Sequence, residues 1–278
     1  MNVARERLYT LEEDPAGLSK SNPEEVARMK TKKLTAILFC FALALGLAGV
    51  AEANLIAYYS FEGNAGNGTV YGATPTSQGY NGSQAYYFDG VDDNISIPLN
   101  INPGFLTSLT MGAWVKAAGN GTGPGGKVIS HDDGGYDRTL GLDYRSSYGG
   151  NATGRYNWSD FAGNGYGVLQ GPDYRDAWDF IAAVYTPTQT ELYVNGQLLS
   201  VNSVPGSSVY TNTWIGSNKH FNEYFQGTID DVFFYDEALT KPDLDAMMAA
   251  SHPVPIPGAI WLVGSGLVQI LAFRRRRK

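Results

Sequence analysis

The sequence predicts an all-β sandwich of two antiparallel sheets, set between an N-terminal signal segment and a C-terminal transmembrane helix. Three observations carry that prediction. Between residues 54 and 250, short runs of aromatic and β-branched side chains recur with turn residues between them, in a chain holding 34 Gly, 18 Tyr and 12 Phe. Many runs alternate, as in Leu109-Thr110-Met111-Gly112-Ala113-Trp114-Val115, so that one face can be buried while the other meets water or a second sheet. No long stripe of helical period competes with them.

Taken in order, strands are expected over 55–61, 85–88, 94–98, 109–116, 128–131, 139–144, 155–158, 180–185, 191–194, 209–215 and 228–235. Asn195-Gly196, between Glu191-Leu192-Tyr193-Val194 and Gln197-Leu198-Leu199, supplies the two positive φ angles of a type I′ hairpin. Thr240-Lys241-Pro242-Asp243 ahead of Leu244, Met247 and Met248 reads as the capped start of a short closing helix. Between 119 and 171, Gly-rich loops make the strand register unreadable.

The two ends read as addresses. From Met29, Lys30, Lys32 and Lys33 precede an apolar run over 34–47 and the small-residue site Ala51-Glu52-Ala53, so a signal peptide over 29–53 is expected to be cut between Ala53 and Asn54. Residues 1–28, with four basic and six acidic side chains, are an odd preface to such a signal and are expected to be a non-native or disordered extension. The only cysteine, Cys40, lies in the signal, so the mature domain is expected to have no disulfide. At the other end, 256–273 is mostly apolar and about long enough to cross a bilayer. Arg274, Arg275 and the basic residues after them should stay cytoplasmic.

Charge narrows the partners. The whole chain carries −7, but residues 54–250 hold 8 Lys and Arg against 20 Asp and Glu, a net −12. That surface repels phosphate backbones, and nucleic acid is excluded as a partner.

Val254-Pro255-Ile256-Pro257, Trp261-Leu262, Gly264-Ser265-Gly266-Leu267 and the terminal arginines together resemble a PEP-CTERM sorting tail over 251–278. The resemblance implies an exosortase-type membrane peptidase as partner, and a protein of the cell envelope, cell surface or extracellular matrix. The segments LIAYYSFEG at Leu55, AYYFDGVDD at Ala85, LTMGAWVK at Leu109, WDFIAAVY at Trp178, TELYVNGQ at Thr190 and GTIDDVFFYDEAL at Gly227 resemble a LamG-like domain of the concanavalin A-like lectin/glucanase class over 54–250. That resemblance implies a jelly roll with its first and last strands adjacent. It also implies a structural Ca2+ held near Glu62, Gly90 and Asp230; an acidic domain without disulfides would gain stability from such a hard cation. Asp230 is preferred to Asp231 because neighbours in a strand point to opposite faces.

Catalysis has little support. Retaining glycoside hydrolysis needs two carboxyl groups about 5 Å apart, and no Glu-x-Asp-x-x-Glu arrangement occurs; the glutamates of 54–250 are Glu62, Glu191, Glu223 and Glu237. His131 with Asp132 and Asp133 is the best isolated group for acid-base or metal chemistry, although a solvated strand end accounts for it as well. No HExxH, paired-cysteine or Gly-x-Ser-x-Gly motif is present. Ligand contact is expected from Tyr144, Tyr156 and Trp158, clustered with Tyr148 and Tyr166, because aromatic rings cover the apolar faces of sugars. The expected activity is non-catalytic binding of an extracellular polysaccharide or surface protein. A structural matrix component and a cryptic carbohydrate-active enzyme are the alternatives.

Overall fold

A computed structural model describes residues 53–135, 137–146, 153–160, 171–202 and 206–250. The signal segment up to Glu52 lies outside the described residues, as do Tyr148, Tyr166 and the sorting tail with Val254, Pro255, Pro257, Arg274 and Arg275. Among the described residues no helix is long and apolar enough to cross a membrane.

Two eight-stranded sheets form the domain. The first holds β1 (Leu55–Tyr59), β3 (Thr74–Thr76), β4 (Ala85–Asp89), β6 (Leu109–Ala117), β10 (Asp179–Tyr185), β11 (Thr190–Val194), β12 (Gln197–Asn202) and β16 (Gln226–Tyr235). The second holds β2 (Thr69–Tyr71), β5 (Asn94–Ile97), β7 (Lys127–Ser130), β8 (Thr139–Asp143), β9 (Asn157–Asp160), β13 (Thr213–Ile215), β14 (Ser217–Asn218) and β15 (Glu223–Tyr224). Pairing is antiparallel except for one parallel bridge between Tyr224 and Lys127. The short strands β2, β3, β14 and β15 carry no alternating run and escape the sequence reading, while 209–212 precedes β13 without being strand.

The long last strand organises the first sheet. Its first half pairs with β4 and its second half with β1, so β1 and β4 meet end to end along one edge of it, and β6 runs along the other. The chain changes register at Asp231, whose φ of 49° marks a bulge, and the pairing resumes at Phe233. The hairpin forms as expected, with φ of 50° at Asn195 and 74° at Gly196.

Alternation on β6 has two apolar destinations. Leu109, Met111, Ala113 and Val115 enter the core between the sheets with Ile95, Ile129, Leu142, Ile215 and Phe234. Trp114 faces outward, and joins Phe180, Phe233 and Tyr235 under the closing helix α1 (Lys241–Ala249) through Leu239, Leu244 and Met247. Asp243 Oδ2 accepts the Thr240 N–H at 2.9 Å and holds the start of α1. Neither face of β6 therefore meets water except at Lys116.

Candidate functional site

Tyr144 and Tyr156 come together as the sequence suggests. Their rings stand 5.8 Å apart, tilted by 55°; Tyr144 is 50% exposed and Tyr156 half-buried against the core. Backbone bonds from two elements fix them. The Tyr144 N–H, just after β8, donates to Pro124 O at 2.9 Å, and the Tyr156 N–H, just before β9, donates to Asn120 Oδ1 at 2.9 Å. Arg145 lies beside the pair, its guanidinium held on Asp143 by bonds of 2.9 and 2.6 Å. An aromatic surface with a cationic donor and an amide at its rim can cover a sugar ring and read its hydroxyls.

Trp158 is not part of this surface. Its side chain is 0% exposed, packs in the inter-sheet core beside Phe225, and donates its indole N–H to Asp179 Oδ2 at 2.9 Å. Position in an irregular stretch suggested access; pairing of β9 with β8 turns the ring inward. Trp214, by contrast, is half-exposed on β13 with Tyr210 edge-on at 4.6 Å. In the Thr-Trp-Ile run its side chain points to the face opposite the buried Thr213 and Ile215.

Beneath Tyr144 and Arg145 lies a buried charge network that sequence reasoning missed. Lys127 Nζ donates to Leu142 O and to Asp143 Oδ2 at 3.0 Å, and stands 3.9 Å from Glu223 Oε2. Asn218 Nδ2 bridges Glu223 Oε2 at 3.0 Å and Asp132 Oδ2 at 2.8 Å. Burial pushes the Asp143 carboxyl upward, but Lys127 and Arg145 outweigh it and hold Asp143 below the ordinary carboxylate value. Burial raises Glu223, with Lys127 only partly opposing. His131 is buried, not at a solvated strand end, and burial lowers its imidazole to about 4, so it is neutral at pH 7.

Of the residues expected to hold calcium, Gly90 stands apart from Asp230 along β16, while Glu62 and Asp230 bond to the adjacent residues Gln84 and Ser83. Asp89, beside Gly90, pairs with Gln226, four positions from Asp230 along β16, a separation of about 13 Å at the rise of a strand. Asp230 is buried and already accepts the Tyr80 N–H at 2.8 Å, the Ser83 hydroxyl at 2.7 Å and the Asp231 N–H at 2.8 Å. Burial raises its carboxyl to about 6 despite the Ser83 bond. Glu62 is exposed and accepts a long bond from Gln84 N at 3.3 Å. The alternation that separates Asp230 from Asp231 also fails, because the bulge intervenes; Asp231 instead accepts the Tyr58 hydroxyl. Asp89, Asp92 and Asp93 do gather within 4.8 Å of one another around Gly90, whose φ of 80° makes the turn. Asp93 accepts the Asp89 N–H at 2.8 Å, and the same contacts describe an Asp-Gly turn.

The two-sheet sandwich is a lectin-like fold shared with known structures. Domain 4 of AbnA, a GH43 extracellular arabinanase from Geobacillus stearothermophilus solved in complex with arabinotriose, is 18% identical over 71% of this chain and 99% of that one, with a TM-score of 0.51. The binding domain of botulinum neurotoxin serotype D is 14% identical over 72% of this chain, with a TM-score of 0.51, and the match spans about half of that domain, 52%. At these identities the likeness carries the fold alone. No curated protein sequence matches. Residues 89–245, more than half of the chain, fit the family pattern that joins β4 to α1, and the protein belongs to the concanavalin A-like lectin/glucanases superfamily.

Proposed function

We propose that the protein is an exported, non-catalytic surface module that binds an extended glycan at the Tyr144–Tyr156 surface. The observation that carries the reading is the exposed Tyr144 ring set against Tyr156, with Arg145 held rigid by Asp143 at its side. A rigid donor beside an aromatic face loses little entropy on binding. The basic, apolar and small-residue order of 29–53 supports export, and the Val-Pro-x-Pro start, apolar segment and terminal arginines of 254–278 support processing by an exosortase-type peptidase. A polysaccharide panel, with arabinan included because the AbnA domain was solved with arabinotriose, tests the binding half. Tyr144→Ala is expected to weaken the affinity about tenfold, the loss of one stacking contact, while leaving the melting temperature nearly unchanged because the ring is half-exposed. Equal affinity in wild type and variant would move the ligand elsewhere, and release of reducing ends from any polysaccharide would make the protein an enzyme.

Deleting 254–278 is expected to release the domain into the medium in soluble form, since no other segment after 53 is apolar enough to anchor it. Fractionation of cells producing the truncated chain checks this, and firm retention would point to another anchor. If no glycan binds, a structural role in an extracellular matrix is the reading that the acidic, disulfide-free domain supports next.

A further inference from the structure

The first strand starts at Leu55, one residue after the expected cut between Ala53 and Asn54, and Asn54 is held by its nitrogen atoms. The Asn54 backbone N–H donates to Asp236 Oδ1 at 3.0 Å, the Asn54 side-chain amide donates to Asp236 Oδ2 at 3.2 Å, and the Asp236 N–H donates back to Asn54 O at 3.2 Å. These bonds add one rung to the ladder in which Leu55 stands opposite Tyr235. Both carboxylate oxygens of Asp236 thus face Asn54 nitrogen, yet among the described residues no Lys or Arg lies within 4.0 Å of them. Asn54 is exposed and Asp236 half-buried, so a charge on the Asn54 nitrogen would keep part of its hydration.

We infer that Asp236 is the receiving site for the α-ammonium group that processing creates on Asn54, an assignment that rests on reading 29–53 as a cleaved signal. Hydrolysis of the Ala53–Asn54 amide adds the oxygen of water to the Ala53 carbonyl carbon, and both water protons end on the Asn54 nitrogen. A carboxylate leaves with the signal and an ammonium stays with the domain. The ammonium forms where the amide N–H already meets a carboxylate, so a bond of 3.0 Å between a neutral donor and Asp236 becomes an ion pair with the strand already in place. One cut alone suits the site, because a cut one residue earlier or later moves the ammonium by about 3.4 Å along the chain, away from Asp236. The small side chains that select the cut, Ala51 and Ala53, and the carboxylate that meets Asn54 are independent features, the second lying 182 residues beyond Asn54. The pair would pin the free start of β1 to the end of β16, in the first sheet, whereas Tyr144 and Tyr156 flank strands of the second.

The exported protein, purified from producing cells, carries the test. Terminal sequencing is expected to find Asn54 as the first residue; any other first residue overturns the inference and shows that the cut, rather than the carboxylate, is the part that fails. Wild type and Asp236→Asn are then melted at pH 7 and at about pH 9.5, either side of the ordinary α-amino value of about 7.7–8.0. The opposite charge of Asp236 raises the folded α-ammonium above that value, so its contribution is complete below it and is lost as pH rises through the higher folded value. Tyr235, beside Asp236, is raised by burial to about 12 and does not titrate in this range. Wild type is expected to melt about 1–3 °C above the variant at pH 7, the size of an exposed ion pair in a domain of roughly 200 residues, and to lose at least half of that lead at the higher pH. Uncut protein, made with Ala51→Tyr to remove a small side chain that the cut needs, should keep the same lead at both pH values, because an amide does not titrate. No lead at pH 7, a lead in the mature protein that ignores pH, or an equal loss in the uncut chain each overturns the inference while leaving the cut itself intact.

Discussion

Lys127→Met is expected to lower the melting temperature by about 10 °C, among the largest effects of any single charge replacement in the domain. The ammonium is buried on Asp143 and Leu142 O with Glu223 at 3.9 Å, and its removal leaves two buried carboxylates short of their cation. Breaking a buried ion pair from one side costs about 3–5 kcal/mol, which for a domain of roughly 200 residues corresponds to that shift. Arg145 limits the damage only in part, because its side chain is 28% exposed and bound from the rim. The double variant Lys127→Met with Asp143→Leu should recover part of the loss, since a buried pair replaced by apolar groups of similar size is often neutral, while Glu223 stays without its cation and Arg145 without Asp143. Thermal melts of wild type, single and double variants give the comparison; a single variant that melts with wild type would show the network to be solvated. Acid titration adds a second readout. Asp143 is depressed below its ordinary value of 3.8, so its contribution is present above that pH and is lost as pH falls through the lower folded value. In Lys127→Met that acid-side loss should shrink.

Trp158→Ala should destabilise the domain by about 3–5 kcal/mol, the range for removing a large buried aromatic side chain. The ring fills the inter-sheet core beside Phe225, and its N–H is one of several donors around Asp179, with Arg175 and the Asn195 amide supplying others. Trp158→Phe keeps most of the volume and should cost less, about 1–3 kcal/mol, mainly by leaving Asp179 Oδ2 without its indole donor. Denaturant midpoints order the three proteins. An Ala variant as stable as wild type that has lost glycan binding would restore Trp158 to the surface role that its place in the sequence suggested.

The candidate surface was half legible. Tyr144 and Tyr156 stand together, and the Gly-rich stretch around them marks loops, which is a local property that composition reports. Trp158 was misplaced because the direction of one ring depends on which neighbour β9 pairs with, and loop-rich sequence does not encode that pairing. The arrangement of the expected calcium residues depends on pairing in the same way. The register of β4 on β16 sets Gly90 about four positions from Asp230, and that pairing is not written in either segment alone.

Sequence alone determined the architecture's repeating parts: the alternating strands, the Asn195-Gly196 turn, the capped helix at Thr240 and the acidic, cysteine-free middle. Each follows from side-chain chemistry acting over a few residues, through backbone preference, alternation or net charge. Tertiary structure decided which outward face of β6 lies under α1, that Lys127 is enclosed by Asp143 and Glu223, and that Asp137 Oδ1 is left without a donor. Those outcomes depend on segments between about 15 and 130 residues apart in the chain, brought together when the two sheets close. Burial converts them from ordinary polar residues into the costly groups on which stability turns.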